Sequence, residues 1–128
     1  MTTEIKKIST DKAPTPAGHY SQAVVYGGLV FVAGQLPIIP ETKEKLTGAI
    51  EDQTLQTLKN LRAILEASGS SIDRVLKVTI YIPNMEMWGK VNEVYSEFFG
   101  DHKPARAVVP TRELNGGVGI EIEAIAAL

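Results

Sequence analysis

The feature that most constrains this chain lies in its last quarter. Pro104 to Val109 and Gly119 to Ala126 each read as a short apolar strand. Each also carries charge where a small core should exclude it: Arg106 in the first, Glu121 and Glu123 in the second. A strand with one buried face alternates apolar and polar residues, so an arginine among alanine and valine needs a partner. Glu121 and Glu123 are two residues apart and point to the same face. A fixed guanidinium near carboxylates is suited to holding a small anion and moving protons beside it.

The preceding residues supply a sheet for these strands. Pro14, Pro16 and Gly18 punctuate a loop over 11–18. Tyr20 to Tyr26 reads as a strand, Gly27-Gly28 as a tight hairpin turn, and Leu29 to Ala33 as the return strand, broken by Gly34. Residues 35–48 are irregular. Leu55, Leu58, Leu61 and Leu65 recur at helical spacing and predict a helix over 50–68, stopped by Gly69. Val75 to Ile82 is a β-branched strand ended by Pro83. Asn84 is placed to cap a second helix over 85–99, with Trp88, Val91, Tyr95, Phe98 and Phe99 as its apolar stripe.

The expected order is therefore β-β-α-β-α-β-β, an α+β fold. One mixed sheet with both helices packed on one face is the simplest arrangement. The link from Val75–Ile82 through the second helix to the next strand predicts a parallel pair. The sheet's other face would be bare, so a symmetric oligomer is expected to cover it. The 128 residues show no internal repeat and no break, and residues 1–128 are read as a single domain.

Composition narrows the chemistry. The formal net charge is -2, so no global field draws in nucleic acid or an anionic membrane. There is no cysteine, which removes thiol nucleophiles and thiolate metal sites and agrees with a cytoplasmic location. Met1 to Thr10 has no apolar stretch of the signal-peptide kind, and no run approaches a membrane span. His19 and His102 lack partners at metal-ligand spacing and read as surface loop residues. Ser68, Ser70 and Ser71 read as turn residues rather than as a nucleophile elbow. No glycine-rich phosphate loop follows a strand.

Four groups remain as candidates. Arg106 is either a strand-edge arginine paired with a structural carboxylate or a clamp for a ligand carboxylate. A shielded pair of that kind is worth about 1.5–3 kcal/mol. Glu121 and Glu123 either form a solvated face or raise each other's pKa, leaving one able to activate water. Asn92, on the apolar stripe of the second helix, either ties down a strand carbonyl or orients Arg106 or a ligand. Tyr20 either packs or offers its hydroxyl at a strand end.

Four segments carry a resemblance: Gly18-His19-Tyr20-Ser21-Gln22-Ala23, Ala33-Gly34-Gln35-Leu36-Pro37, Pro104-Ala105-Arg106, and Gly119 through Ala126. Together, in this order and across nearly the whole chain, they resemble the RidA/YjgF family of reactive-imine deaminases. The resemblance implies a chorismate-mutase-like fold, a homotrimer with sites between subunits, and neither cofactor nor metal. It also implies a cytoplasmic hydrolase acting on C=N bonds in metabolite damage control. That enzyme would convert 2-iminopropanoate and 2-iminobutanoate to 2-keto acids and ammonia. By matching positions, Arg106 would bind the substrate carboxylate and Glu121 would orient or activate water. Tyr20 would line the pocket, Asn92 would hold the Arg106 region, and Gly34 would let backbone approach the ligand.

The chain departs from the family pattern at three places. Val108 stands where many members have cysteine, and Ala33 where many have serine or threonine. The Leu114-Asn115-Gly116-Gly117 loop lacks a common lysine. These bear on the pocket wall and substrate preference more than on the clamp. The alternatives are a binding module for small carboxylates without turnover, and then a ribonuclease or translation inhibitor. A purely structural oligomer would instead use Arg106, Glu121 and Asn92 as core salt-bridge chemistry.

Overall fold

In a computed structural model of the chain, which describes residues 4–128, six strands form one mixed sheet. The strands are β1 (Lys6–Ile8), β2 (Ala23–Tyr26), β3 (Leu29–Gln35), β4 (Val75–Ile82), β5 (Ala105–Pro110) and β6 (Glu121–Ala127). Two helices, α1 (Ile50–Ala67) and α2 (Trp88–Phe99), complete the fold. The spatial order is β1-β2-β3-β6-β4-β5, with β4 and β5 parallel and every other pair antiparallel.

Strand β1 is an addition to the expected order. Only Ile8 of its three residues is buried, and three residues give too short an alternation to read. Met1 to Thr3, the start of the polar segment in which no signal peptide was read, lie outside the described residues. The β2–β3 hairpin turns through Gly27 and Gly28, both at positive φ, and Tyr26 pairs with Leu29 across it. Tyr20 precedes β2 instead of opening it. Gly34 does not end β3, because the strand runs on to Gln35 through a register shift between Val32 and Gln35.

The core lies between one sheet face and the helices. Val30, Val32, Val78, Ile80, Ile82, Ile122, Ala124 and Ala126 meet Leu58, Leu61, Ile64 and Leu65 of α1 and Val91, Tyr95 and Phe99 of α2. Leu55, expected in the α1 stripe, is exposed beside the groove between the helices, near Val94 and Phe98. Helix α1 closes as a Schellman motif: Gly69 N–H bonds to Glu66 and Ser70 N–H to Leu65, with Gly69 at φ 87°. Asn84 accepts from Glu86 N–H and so caps a short 3-10 turn, Met85–Met87, that leads into α2.

Three buried amides pin the loops. Gln22 donates to the carbonyls of Thr10 and Pro14, and Asn60 to those of Leu36 and Ile38. Gln53 donates to Gly48 C=O and accepts from Gly119 N–H. The other sheet face is bare. Tyr26, Phe31 and Val109 are 46%, 41% and 36% exposed there, beside half-buried Val24, Leu29 and Ile125. Among the described residues no helix is long and apolar enough to cross a membrane.

Candidate functional site

Strand β5 is the edge that carries Arg106. In register, Arg106 lies beside Val78 and Val108 beside Ile80, so both face the helices. The Arg106 guanidinium stands over the rings of Trp88 and Tyr95, at 4.8 and 4.9 Å from their centroids. Its Nη1 donates to Asn92 Oδ1 at 2.9 Å. Trp88, Asn92 and Tyr95 project together because they are spaced four and three residues apart on α2. The guanidinium is exposed, and its partners among the described residues are two rings and an amide, not a carboxylate. This overturns the reading of Arg106 as half of a structural ion pair.

Arg106 opens onto a cleft of about 460 Å³. Asn92, Tyr95, Ser96, His102 and Lys103 share its lining. Tyr95 is almost fully buried and its hydroxyl has no hydrogen-bond partner. Burial pushes that phenol above its usual pKa, opposed by the Arg106 charge. His102 is not a free surface residue: its Nε2 lies 2.8 Å from Val75 C=O and its ring packs near Phe99.

The carboxylates lie elsewhere. Glu121 pairs in register with Tyr81, and Glu123 with Thr79, so both point to the bare face. Tyr81 donates its hydroxyl proton to Glu123, which raises the phenol's pKa. Burial, with help from the Glu123 charge, raises Glu121 above the usual carboxylate range. Arg106 and Glu121 therefore occupy opposite faces of one sheet, with β4 between their strands. Within one chain the guanidinium and these carboxylates do not meet. Alternation places them apart, and sequence separation alone could not show on which face each strand would land.

Gly34 belongs to the Glu121 side. A Cβ at Gly34 would overlap Glu121 Oε2 and lie 3.0 Å from Cδ, so the missing side chain makes room for the carboxylate. Gly34 also lines a narrow cleft with Tyr20, Gln35, Lys45 and Asn115. Tyr20 is 53% exposed and offers its hydroxyl from the loop before β2. Lys45 crosses the Asn115–Gly117 turn where Gly116 adopts φ 77°, and a Cβ there would fall 2.7 Å from Lys45 Cδ.

The five candidate residues thus form two groups. Arg106 and Asn92 sit on the helix side of the β5 edge, and Tyr20, Gly34 and Glu121 lie on and beside the bare face. Sequence reasoning missed Lys45, Lys103 and the stacking role of Trp88 and Tyr95, which read only as core stripe. An asparagine within that stripe was the available signal that the stripe meets something polar. Among the described residues no three histidine, aspartate or glutamate side chains gather as a metal site.

Comparison with known proteins gives this arrangement a family. Residues 10–128 match the family described as Endoribonuclease L-PSP. A RutC family protein of Pyrococcus horikoshii is 53% identical, over 93% of this chain and 94% of its own length. A 2-iminobutanoate/2-iminopropanoate deaminase of Dermatophagoides farinae is 41% identical, over 94% of each. TdcF of E. coli, solved with bound serine, superposes with a TM-score of 0.92 at 38% identity, covering 96% of this chain and 98% of that one. The chain belongs to the RidA/YjgF family.

Proposed function

We propose that the protein hydrolyses 2-imino acids to 2-keto acids and ammonia, in sites built between subunits of a homotrimer. The observation that carries this reading is Arg106: an accessible guanidinium braced by two rings and an amide, with no carboxylate partner among the described residues. Such a cation is preorganised for a planar ligand carboxylate, and lysine lacks its fork geometry. A relative named as an imine deaminase and a related structure holding serine, itself a carboxylate ligand, support the class.

The chemistry needs a second group. Water adds to the imine carbon, C–O forms as the C=N π bond breaks, and the nitrogen gains a proton. Collapse of this carbinolamine forms the keto C=O and expels ammonia. A carboxylate that takes a proton from water and returns it to nitrogen serves both steps, and a raised pKa suits the second. Glu121 fits that role, held against Gly34. Tyr20 would line the same pocket.

Arg106 and Glu121 cannot serve one ligand within a chain, because they face opposite sides of the sheet. A neighbouring subunit packed on the exposed face around Phe31 and Tyr26 would bring its own Arg106 edge to Glu121. The test is imine turnover against a nucleophilic trap, using 2-iminopropanoate and 2-iminobutanoate generated in solution. Arg106→Ala and Glu121→Gln, each slow alone, are then co-refolded in equal amounts. Sites between subunits recover roughly a quarter of the wild-type rate, because random mixing rebuilds that share of intact pairs. No recovery from a folded mixed trimer would place both residues in one subunit's site and reject this geometry.

A further inference from the structure

The cleft beside Arg106 is larger than a three- or four-carbon imino acid needs, and its chemistry is one-sided. None of the residues lining it is acidic, and Lys103 joins Arg106 on its wall. Asp101 is close in sequence but does not line the cleft. Lys103 is also held in place. Gly100 ends α2 at φ 63°, His102 is tied to Val75 C=O at 2.8 Å, and Pro104 fixes the chain on the other side. A carbonyl only accepts, so His102 Nε2 carries the proton in that bond. Ser96 and Tyr95, whose buried hydroxyl has no partner, share the lining with the two cations. A buried hydroxyl without a partner is rare enough to point to a polar ligand group.

We propose that this cleft receives the second carboxylate of a dicarboxylic 2-imino acid, with Lys103 as the residue that selects it. The inference rests on the reading of Arg106 as the clamp for the first carboxylate. Two residues, Pro104 and Ala105, separate the two cations, a backbone reach of at most about 10 Å. The carboxylate carbons of an extended five-carbon diacid are about 5 Å apart. Both side chains are exposed and long enough to close that difference. A monocarboxylic imine would leave Lys103 and Ser96 facing water, whereas a diacid engages both cations of the cleft.

The stable keto products serve as probes. Calorimetry on the full-length assembled protein compares 2-oxoglutarate with 2-oxobutanoate. The expected result is binding of 2-oxoglutarate about ten-fold tighter or more, with Lys103→Ala reducing that ratio to near one and Lys103→Arg retaining most of it. Lys103 is exposed, so its replacement leaves the core untouched. Equal affinities in the wild type, or a preference that Lys103→Ala does not change, would overturn the proposal. If 2-iminobutanoate is nonetheless hydrolysed in an Arg106-dependent way, the deaminase reading stands and only the diacid inference falls. Failure of both keto acids to bind, with no imine turnover, removes the clamp and this inference together.

Discussion

The two faces of the sheet handle charge in opposite ways. On the helix face, Arg106 is braced by Trp88, Tyr95 and Asn92, groups that orient a cation without neutralising it. On the bare face, Glu121 and Glu123 crowd one another, and Glu121 is made harder to ionise by burial and by its neighbour. A self-sufficient small domain would be expected to pair these charges. This one holds them on opposite sides, each oriented and each without a counter-charge among the described residues. The proposed trimer would pair them by bringing an exposed edge to an exposed face.

The largest effect is expected on the helix side. Arg106→Ala should lower kcat/KM for 2-iminobutanoate by about 100-fold or more, since two charge-assisted bonds to the substrate carboxylate are lost together. Its melting temperature should stay near that of the wild type, because the guanidinium is exposed and breaks no ion pair. Unfolding of Arg106→Ala would instead make the arginine a structural element. Arg106→Lys should recover little of the rate, because an ammonium cannot be stacked and forked in the same way.

Gly34→Ala tests the other side. The new Cβ would displace the Glu121 carboxylate, so the rate should fall about ten-fold or more while the keto acid still binds at Arg106. Unchanged kinetics would mean that Glu121 swings aside harmlessly and that its position against Gly34 is not needed.

The same comparison predicts opposite signs for stability and activity at Glu121. Its folded-state pKa is raised, by burial first and by Glu123 second. Folding is therefore favoured while the group is protonated, and that advantage is lost as pH rises through the folded pKa. Glu121→Gln removes the penalty. It should melt above the wild type at about pH 8, and the gap should close near pH 4, where both forms are neutral. Its imine turnover should fall at the same time. A variant less stable at high pH would show that Glu121 gains more from its surroundings when charged than burial takes away.

Much of the fold was legible because periodicity reports burial directly. Strand β4 was read with its observed ends, as was the parallel β4–β5 link through α2. Gly27, Gly28, Gly69 and Gly100 marked turns by their need for positive φ. Strand β1 was not readable, because two lysines and one buried isoleucine carry no pattern. The site was legible as residue types and not as geometry. Arg106 stands out against alanine and valine, but whether it meets Glu121 depends on which sheet face each strand presents. That is set by pairing register across the ten residues of turn and loop between β5 and β6, which local spacing does not encode. The buried amides Gln22, Gln53 and Asn60 were missed for a related reason: their partners are backbone groups of loops, such as Pro14 C=O, Gly119 N–H and Leu36 C=O, which helix or strand spacing does not mark.

The smallest effect separates a packing role from a polar one within the Arg106 group. Tyr95→Phe keeps the ring beneath the guanidinium and removes only a buried hydroxyl without a partner. Deleting an unsatisfied polar atom while preserving shape is close to neutral or mildly stabilising. The ligand-free variant should therefore melt at or slightly above the wild type. If the ring alone matters, keto-acid affinity should be unchanged as well. If the hydroxyl meets a bound carboxylate, affinity should fall a few-fold although stability does not. A variant that loses stability without ligand would show that the hydroxyl has a partner in the folded protein after all, and would move Tyr95 from the site to the core.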